Sequence, residues 1–359
     1  MDRDIAPELV DAVTAASESG RAVRITGNDS KRQLIGRLCE AEVLSVSEHR
    51  GIVDYRPDEL VITARAGTPL AELEAAVQEK NQTLGFEGPL FNGRSTLGGT
   101  LASGLSGPSR PWRGSARDAV LGMRLINGKG EHLSFGGQVM KNVAGYDVSR
   151  LQAGAMGSLG IITEVSLRLR PAATDTRSFA LPCFHDLGFS WLRELYRRPV
   201  PLTGACWHDN MLYVRFAGEP EAIDAAAETL VDFQPHDGSF WDALRDWKIA
   251  ALTAPWIWNL DIAPATGLDS GRDGNKTGIK PALIDWAGAR RVLTQPLSLA
   301  EAQALASEGG GHATLYGRGD TLQDVVATPA APLKSILERV KQAMDPAGIF
   351  SPGRLYRWL

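Results

Sequence analysis

The sequence predicts an α+β protein of two domains. Segments with helical and with strand periodicity alternate along the chain, nearly half of the 38 glycines fall between residues 85 and 160, and a break at 171–177 divides the pattern near its middle. At 359 residues the chain exceeds twice a typical domain of about 150 residues, which suits two domains better than one.

Residues 7–19 read as a helix, because Leu9, Val10, Val13 and Ala16 share one face. A strand over 22–26 leads into Gly27-Asn28-Asp29-Ser30, small polar residues that either expose several backbone donors together or form a plain turn. The next unit is a strand over 60–66 and a helix with Thr68 as the expected N-cap, Pro69 as first helical residue, and Leu70, Leu73 and Val77 as its buried stripe. Residues 120–126 and 131–135 form a hairpin across Asn127-Gly128-Lys129-Gly130. Residues 162–170 alternate like a half-buried strand, with Val165, Leu167 and Leu169 opposed to Ser166, Arg168 and Arg170, and Pro171 ends it.

Past 171–177 the chain mixes helices over 187–197 and 221–232 with strands over 204–207, 211–217 and 256–262. A loop over 264–281, an amphipathic helix over 333–344 and a tail rich in Pro and Gly follow. The domains are therefore placed at 1–171 and 178–344, with 345–359 as tail. The glycine-dense stretch is either a ligand cradle, where main-chain N–H groups meet a ligand without a Cβ between, or a series of tight turns.

Composition excludes several classes. Apolar residues make up 43% and charged residues 22%, as in an ordinary globular protein. The 38 Lys and Arg nearly balance 42 Asp and Glu, so a nucleic-acid-binding surface is not expected. Two acids in Met1-Asp2-Arg3-Asp4 argue against a signal peptide, and Thr253, Pro255, Asn259 and Asp261 interrupt the longest apolar stretch, so a cytoplasmic protein is expected. Cys39, Cys183 and Cys206 are too scattered for a disulfide framework or an iron–sulfur site and read as buried thiols. The six histidines show no metal-ligand spacing, so no metal site is expected.

No G-x-G-x-x-G, Walker A loop, H-E-x-x-H or G-x-S-x-G is present. What remains is a nucleotide cradle without acid–base machinery beside it, whose natural occupant is a cofactor that brings its own chemistry.

Six ordered blocks carry a resemblance: RITGNDS at 24–30, STLGGTLASGLSGP at 95–108, RGSARDAVLG at 113–122, GYD at 145–147, GAMGSLGIIT at 154–163 and DPAGIFSPGR at 345–354. The sequence resembles the FAD-linked oxidases of the vanillyl alcohol oxidase and p-cresol methylhydroxylase type. Within them it resembles the family of the smaller, FAD-binding subunits of bacterial glycolate oxidase, with GQVMKNVAGYD at 137–147 the most specific block. The resemblance is dense over residues 20–171 and thin after 180. It implies a two-subdomain FAD-binding domain of the p-cresol methylhydroxylase type over 1–171, a smaller α+β cap or substrate-like domain, and a tail that returns to the first.

By the resemblance, Gly27, Asn28, Asp29 and Ser30 line a first pyrophosphate loop, and Thr96, Gly98, Gly99, Gly104, Ser106 and Gly107 a second, both through main-chain donors. Gly157, Ser158, Gly160 and Ile162 hold the adenine-ribose and flavin side. Arg113 and Arg117 pair with phosphate or with Asp118, a structural ion pair being the reading for Arg117. No histidine occupies a flavin-attachment position, so the FAD is expected to be non-covalent.

The implied complex oxidises glycolate, and related 2-hydroxy acids such as D-lactate, to the 2-oxo acid. It includes a larger homologous flavoprotein chain and an iron–sulfur subunit that takes the electrons, with membrane association only through these partners, at the cytoplasmic face. Two departures stand out: Ala155 and Met156 replace the Ser and Glu of the G-S-E-G-T-L-G block of catalytic relatives, and their C-terminal histidine cluster shrinks to His312. His312, His208 and Tyr146 are the nameable bases for catalysis by this chain, either within the complex or as an independent FAD-dependent 2-hydroxy acid dehydrogenase. The departures favour a structural or electron-relay flavin subunit instead. Eight of the nine tryptophans follow residue 190, as core or as interface anchors, with Trp256 and Trp258 as the discriminating pair.

Overall fold

The computed structural model describes residues 2–137, 147–267, 280–317 and 321–359. Helix Ala6–Ser19 buries Leu9, Val13 and Ala16 and stops at Gly20, whose φ of 64° lets its N–H reach the carbonyls of Ala16 and Ser17. The helix shares a core with Val23 of the small parallel sheet made by Val23–Thr26 and Glu42–Ser45, and with Ile126, Ile161, Ile349 and Phe350. The tail is thereby locked to the start of the chain: Val23 N–H donates to the Ile349 carbonyl and Ser351 N–H to that of Val23, each at 2.8 Å.

An antiparallel five-stranded sheet follows the spatial order Ile52–Arg56, Val61–Arg65, Ile161–Arg168, Val120–Ile126, His132–Gly136. The strand expected to be half-buried is its centre. Both of its faces are covered, and Ser166 is accommodated there by a 2.8 Å hydrogen bond to Thr63 on the neighbouring strand. Helix Leu70–Gln78 uses the expected stripe, but Thr68 does not cap it. The Thr68 hydroxyl instead accepts the Gly51 N–H at 2.9 Å, and Pro69 occupies the N-cap position.

The second half is built on an eight-stranded sheet in the order Gln234–His236, Asp175–Pro182, Met211–Gly218, Leu202–His208, Leu283–Asp285, Arg290–Leu293, Ile257–Asp261, His312–Tyr316. The segment 171–177 runs directly into the strand Asp175–Pro182, whose polar start hides it from periodicity. Helix His185–Arg197 packs on this sheet through Leu192 and Leu195, the helix expected over 221–232 is the shorter Pro220–Ala227, and the last helix is Ala331–Met344. Ile35 and Leu105 of the first half enter a core with Phe240, Trp241, Trp247 and Val292 of the second, so the halves meet through apolar packing. Trp207, Trp241, Trp247, Trp258 and Trp286 are buried and Trp256 half-buried, so core packing accounts for most of the tryptophans. Cys39, Cys183 and Cys206 are buried thiols.

Candidate functional site

The strand Val23–Thr26 delivers the chain into the bend Gly27–Ser30. Arg24 clamps it by pairing with Asp29 at 2.8 Å, and Asp29 takes a φ of 53°. Arg94 holds the other side by donating to the Asn28 carbonyl at 2.9 Å. The amides of Asn28, Asp29, Ser30 and Lys31 donate to no protein acceptor among the described residues.

The second bend lies against the first, so close that a Cβ on Gly27 would collide with Thr96 Oγ1. Thr96 caps helix Leu97–Ser103 by accepting the Gly99 N–H at 3.2 Å. The amides here are already committed: Leu97 to Thr68, Gly98 to Ala66, Thr100 to Thr96. The expectation that both bends offer main-chain donors is thus corrected. The first offers donors, and the second offers a glycine surface that lets a ligand approach.

A cavity opens between them, lined by Gly27, Asn28, Asp29, Ser30, Thr96, Gly98, Gly99, Gly157, Gly160 and Ile162 of the expected set. Gly157, with φ 74°, lies against Ile25, where an added Cβ would come within 3.4 Å. Arg24, Lys31, Arg32, Gln152, Met156, Ser351 and Arg354 join the lining and were not in that set. Lys31 had a signal, following the turn directly; Gln152 had none. Ser351 and Arg354 lie in the C-terminal block DPAGIFSPGR at 345–354. Buried Gln152 Nε2 and Ser351 Oγ have no hydrogen-bond partner, as expected of groups that a polar ligand satisfies. Free amides, orphaned polar atoms and cations around a glycine-floored cavity suit an anionic dinucleotide.

Ser103 connects this cavity to a second cleft of about 750 Å³ between the halves, lined by Gly104, Ser106, Arg110, Arg117, Trp247, Asp261, Trp286, Arg290, His312 and Tyr316. Buried Arg290 donates to Asn259 at 2.7 Å and lies 5.2 Å from the ring centres of Trp247 and Trp286. Arg117 departs from the expected ion pair: Asp118 instead accepts from the Ser115 N–H at 2.9 Å and its hydroxyl at 2.8 Å, and Arg117 has no carboxylate partner among the described residues. Beneath Trp286, the Asp285 carboxyl is pushed up to about 7 by complete burial, opposed by the charge of Arg290. Burial drives the Tyr316 phenol up to about 12. His312 Nε2 stands 3.8 Å from Asp261.

Gly107 and Ser158 line neither space. Gly107 donates to the Glu87 carbonyl and accepts from Trp286, while the Ser158 hydroxyl donates to Ala155. His208 also lies apart, its ring Nδ1 3.0 Å from the Ala282 carbonyl. Tyr146 and most of the block 137–147 lie outside the described residues. Among the described residues no cluster of metal-ligating side chains occurs, and no helix is long and apolar enough to cross a membrane.

Residues 6–136 match the family model described as FAD binding domain. The chain is 39% identical over 357 residues to the glycolate oxidase subunit GlcE of Escherichia coli (strain K12), covering 98% of each chain. It is 29% identical over 316 residues to a D-2-hydroxyglutarate dehydrogenase of Xanthomonas citri pv. viticola, covering 80% of this chain and 63% of that one. It is 31% identical over 193 residues to the glycolate oxidase subunit GlcD of Bacillus subtilis (strain 168), covering 52% and 40%. The solved structure of alkyldihydroxyacetonephosphate synthase shares the fold, with a TM-score of 0.66 at 17% identity, covering 97% of this chain and 76% of that one. Fold and cradle together define a flavoprotein of the FAD-linked oxidoreductase class, with a p-cresol methylhydroxylase-type FAD domain and FAD as its cofactor. Within that class, the chain belongs to the family of glycolate oxidase subunit GlcE.

Proposed function

We propose that the protein is the FAD-holding subunit of a multi-subunit glycolate oxidase that converts glycolate to glyoxylate, and that the FAD is held non-covalently between the two bends. The residues expected to hold it are Gly27 to Ser30, Thr96, Gly98, Gly99, Gly157, Gly160 and Ile162, joined by Gln152 and Ser351. The chemistry a bound FAD supplies is acceptance of the hydride from carbon 2 of the hydroxy acid.

The observation that carries the reading is the second cleft, which shares Ser103 with the cradle and presents Arg110, Arg117 and Arg290. Guanidinium groups that line a cleft orient a carboxylate, and 2-hydroxy acids carry one beside the carbon to be oxidised. His312 is the histidine among the residues lining this cleft, and in this reading it takes the hydroxyl proton, with Asp261 3.8 Å from it. In this reading an iron–sulfur subunit supplies the one-electron relay, because the cysteines of this chain are buried and separated, and the relative named GlcD supports a larger flavoprotein partner. Membrane contact is assigned to those partners.

A second reading, a flavin subunit that relays electrons for chemistry on the larger chain, is favoured by Ala155 and Met156 and by the lack of a metal-ligand cluster among the described residues. Anaerobic addition of glycolate to the FAD-loaded purified chain tests the two. Bleaching of the flavin band supports catalysis by this subunit. A yellow protein that does not respond, but bleaches once the larger flavoprotein chain is added, selects the relay.

A further inference from the structure

Lys31 lies directly after the first bend, and only 8% of its surface is exposed. Its ammonium is held from both sides of the cavity: Nζ donates to Ser95 Oγ at 2.9 Å and is 3.4 Å from Ser30 Oγ, and a Cβ on Gly99 would stand 4.0 Å away. The Ser95 hydroxyl is itself fixed, donating to the Pro89 carbonyl at 2.6 Å. Lysine has three ammonium donors, so two hydroxyls leave one for the cavity.

The charge is what needs an explanation. Buried ammonium groups are rare unless paired, because desolvation is costly. Arg24, on the strand that enters the bend, is answered by Asp29. Lys31 has no carboxylate within ion-pair distance among the described residues, and the Phe91 ring at 5.4 Å does not neutralise it. An uncompensated cation that lines a cavity beside unspent amides and orphaned Gln152 and Ser351 atoms marks the position of a missing anion.

We propose that Lys31 is the counter-ion of the cofactor diphosphate, its ammonium ligating a phosphate oxygen from between the two bends when FAD enters the cradle. This rests on the cradle reading above and adds a charged ligand to a site otherwise built from main chain. A consequence follows for protons. Desolvation lowers the Lys31 ammonium to about 8 without FAD, and an anion at bonding distance raises it. FAD binding above pH 8 therefore takes up a proton. The charged groups that share the cradle with Lys31 are Asp29 of the first bend, Arg24 and Arg32 on either side of it, and Arg354 from the tail.

The test is FAD titration of the apoprotein, followed by flavin fluorescence, for the full chain and for Lys31→Met and Lys31→Arg. The expected result is that Lys31→Met binds FAD about tenfold to a hundredfold more weakly, that Lys31→Arg recovers part of the loss, and that apo Lys31→Met melts no lower than the parent because a buried charge is gone. Equal FAD affinity in Lys31→Met overturns the counter-ion while leaving the cradle standing. If the unaltered chain binds no FAD, the cradle reading falls and the proposal with it. Should the variants not fold, calorimetry of the unaltered chain at pH 7 and pH 9 in buffers of different ionisation enthalpy decides: proton uptake confined to pH 9 supports Lys31, and its absence overturns it.

Discussion

The guanidinium of Arg110 lies 4.5 Å from the centre of the Trp286 ring, and that ring is fixed by an indole N–H donated to the Gly107 carbonyl at 3.0 Å and by Asp285 accepting the Trp286 amide at 2.8 Å. A glycine of the second bend thereby anchors the turn Trp286–Gly288 between two strands of the eight-stranded sheet, which in turn steadies an arginine that lines the second cleft. Stacking of this kind preorganises the fork that a carboxylate needs.

Arg110→Gln is therefore expected to raise the KM for glycolate in the assembled oxidase about tenfold or more with a smaller change in kcat, since it removes binding common to ground and transition states. Arg110→Lys should fall between. Steady-state kinetics over a range of glycolate concentrations checks this, and an unchanged KM removes Arg110 from the carboxylate site.

His312→Gln separates the two proposed roles of the subunit. If this chain takes the hydroxyl proton, the variant lowers kcat about a hundredfold while FAD stays bound. An unchanged kcat places the base on the partner chain.

Gly27→Ala tests the contact between the bends. Its Cβ would meet Thr96 Oγ1, so overpacking of about 1–3 kcal/mol is expected in urea unfolding, with FAD lost from the purified protein. Thr96→Ala alone costs about 1 kcal/mol through the lost cap. The double variant should cost less than the two singles together, because the clash partner has gone, and strict additivity would show that the bends do not touch.

The glycine density of residues 85–160 and the Gly27–Ser30 turn make much of the cavity lining legible in the sequence, because a surface open to close approach leaves its mark in residues lacking a Cβ. What it left illegible depends on tertiary burial. Lys31 is signalled by following the turn directly, but nothing local shows that its ammonium is buried against Ser95, 64 residues away. Arg290 and Asn259 lie on neighbouring strands whose pairing no local period announces. Thr68 reads as a cap because its actual partner, the Gly51 amide, is 17 residues away in the sequence. Asp175–Pro182 does not read as a strand because its polar start resembles a linker, although its later residues fill an interior position of the larger sheet.

Asp285 gives the fold a pH dependence of its own. Its carboxyl is held at about 7 by burial, against about 3.9 in an unfolded chain, so between these values the native state keeps a proton that the unfolded chain has released. The contribution of this group to stability is thus present in full below about pH 4, declines as pH rises towards 7 and is absent above it. Asp285→Asn keeps an acceptor for the Trp286 amide but cannot ionise. Urea midpoints of parent and variant should therefore diverge in the variant's favour between pH 4.5 and 7 and run parallel from 7 to 8. Curves that stay parallel across the whole range would mean that Asp285 remains charged beneath Trp286, with Arg290 neutralising it.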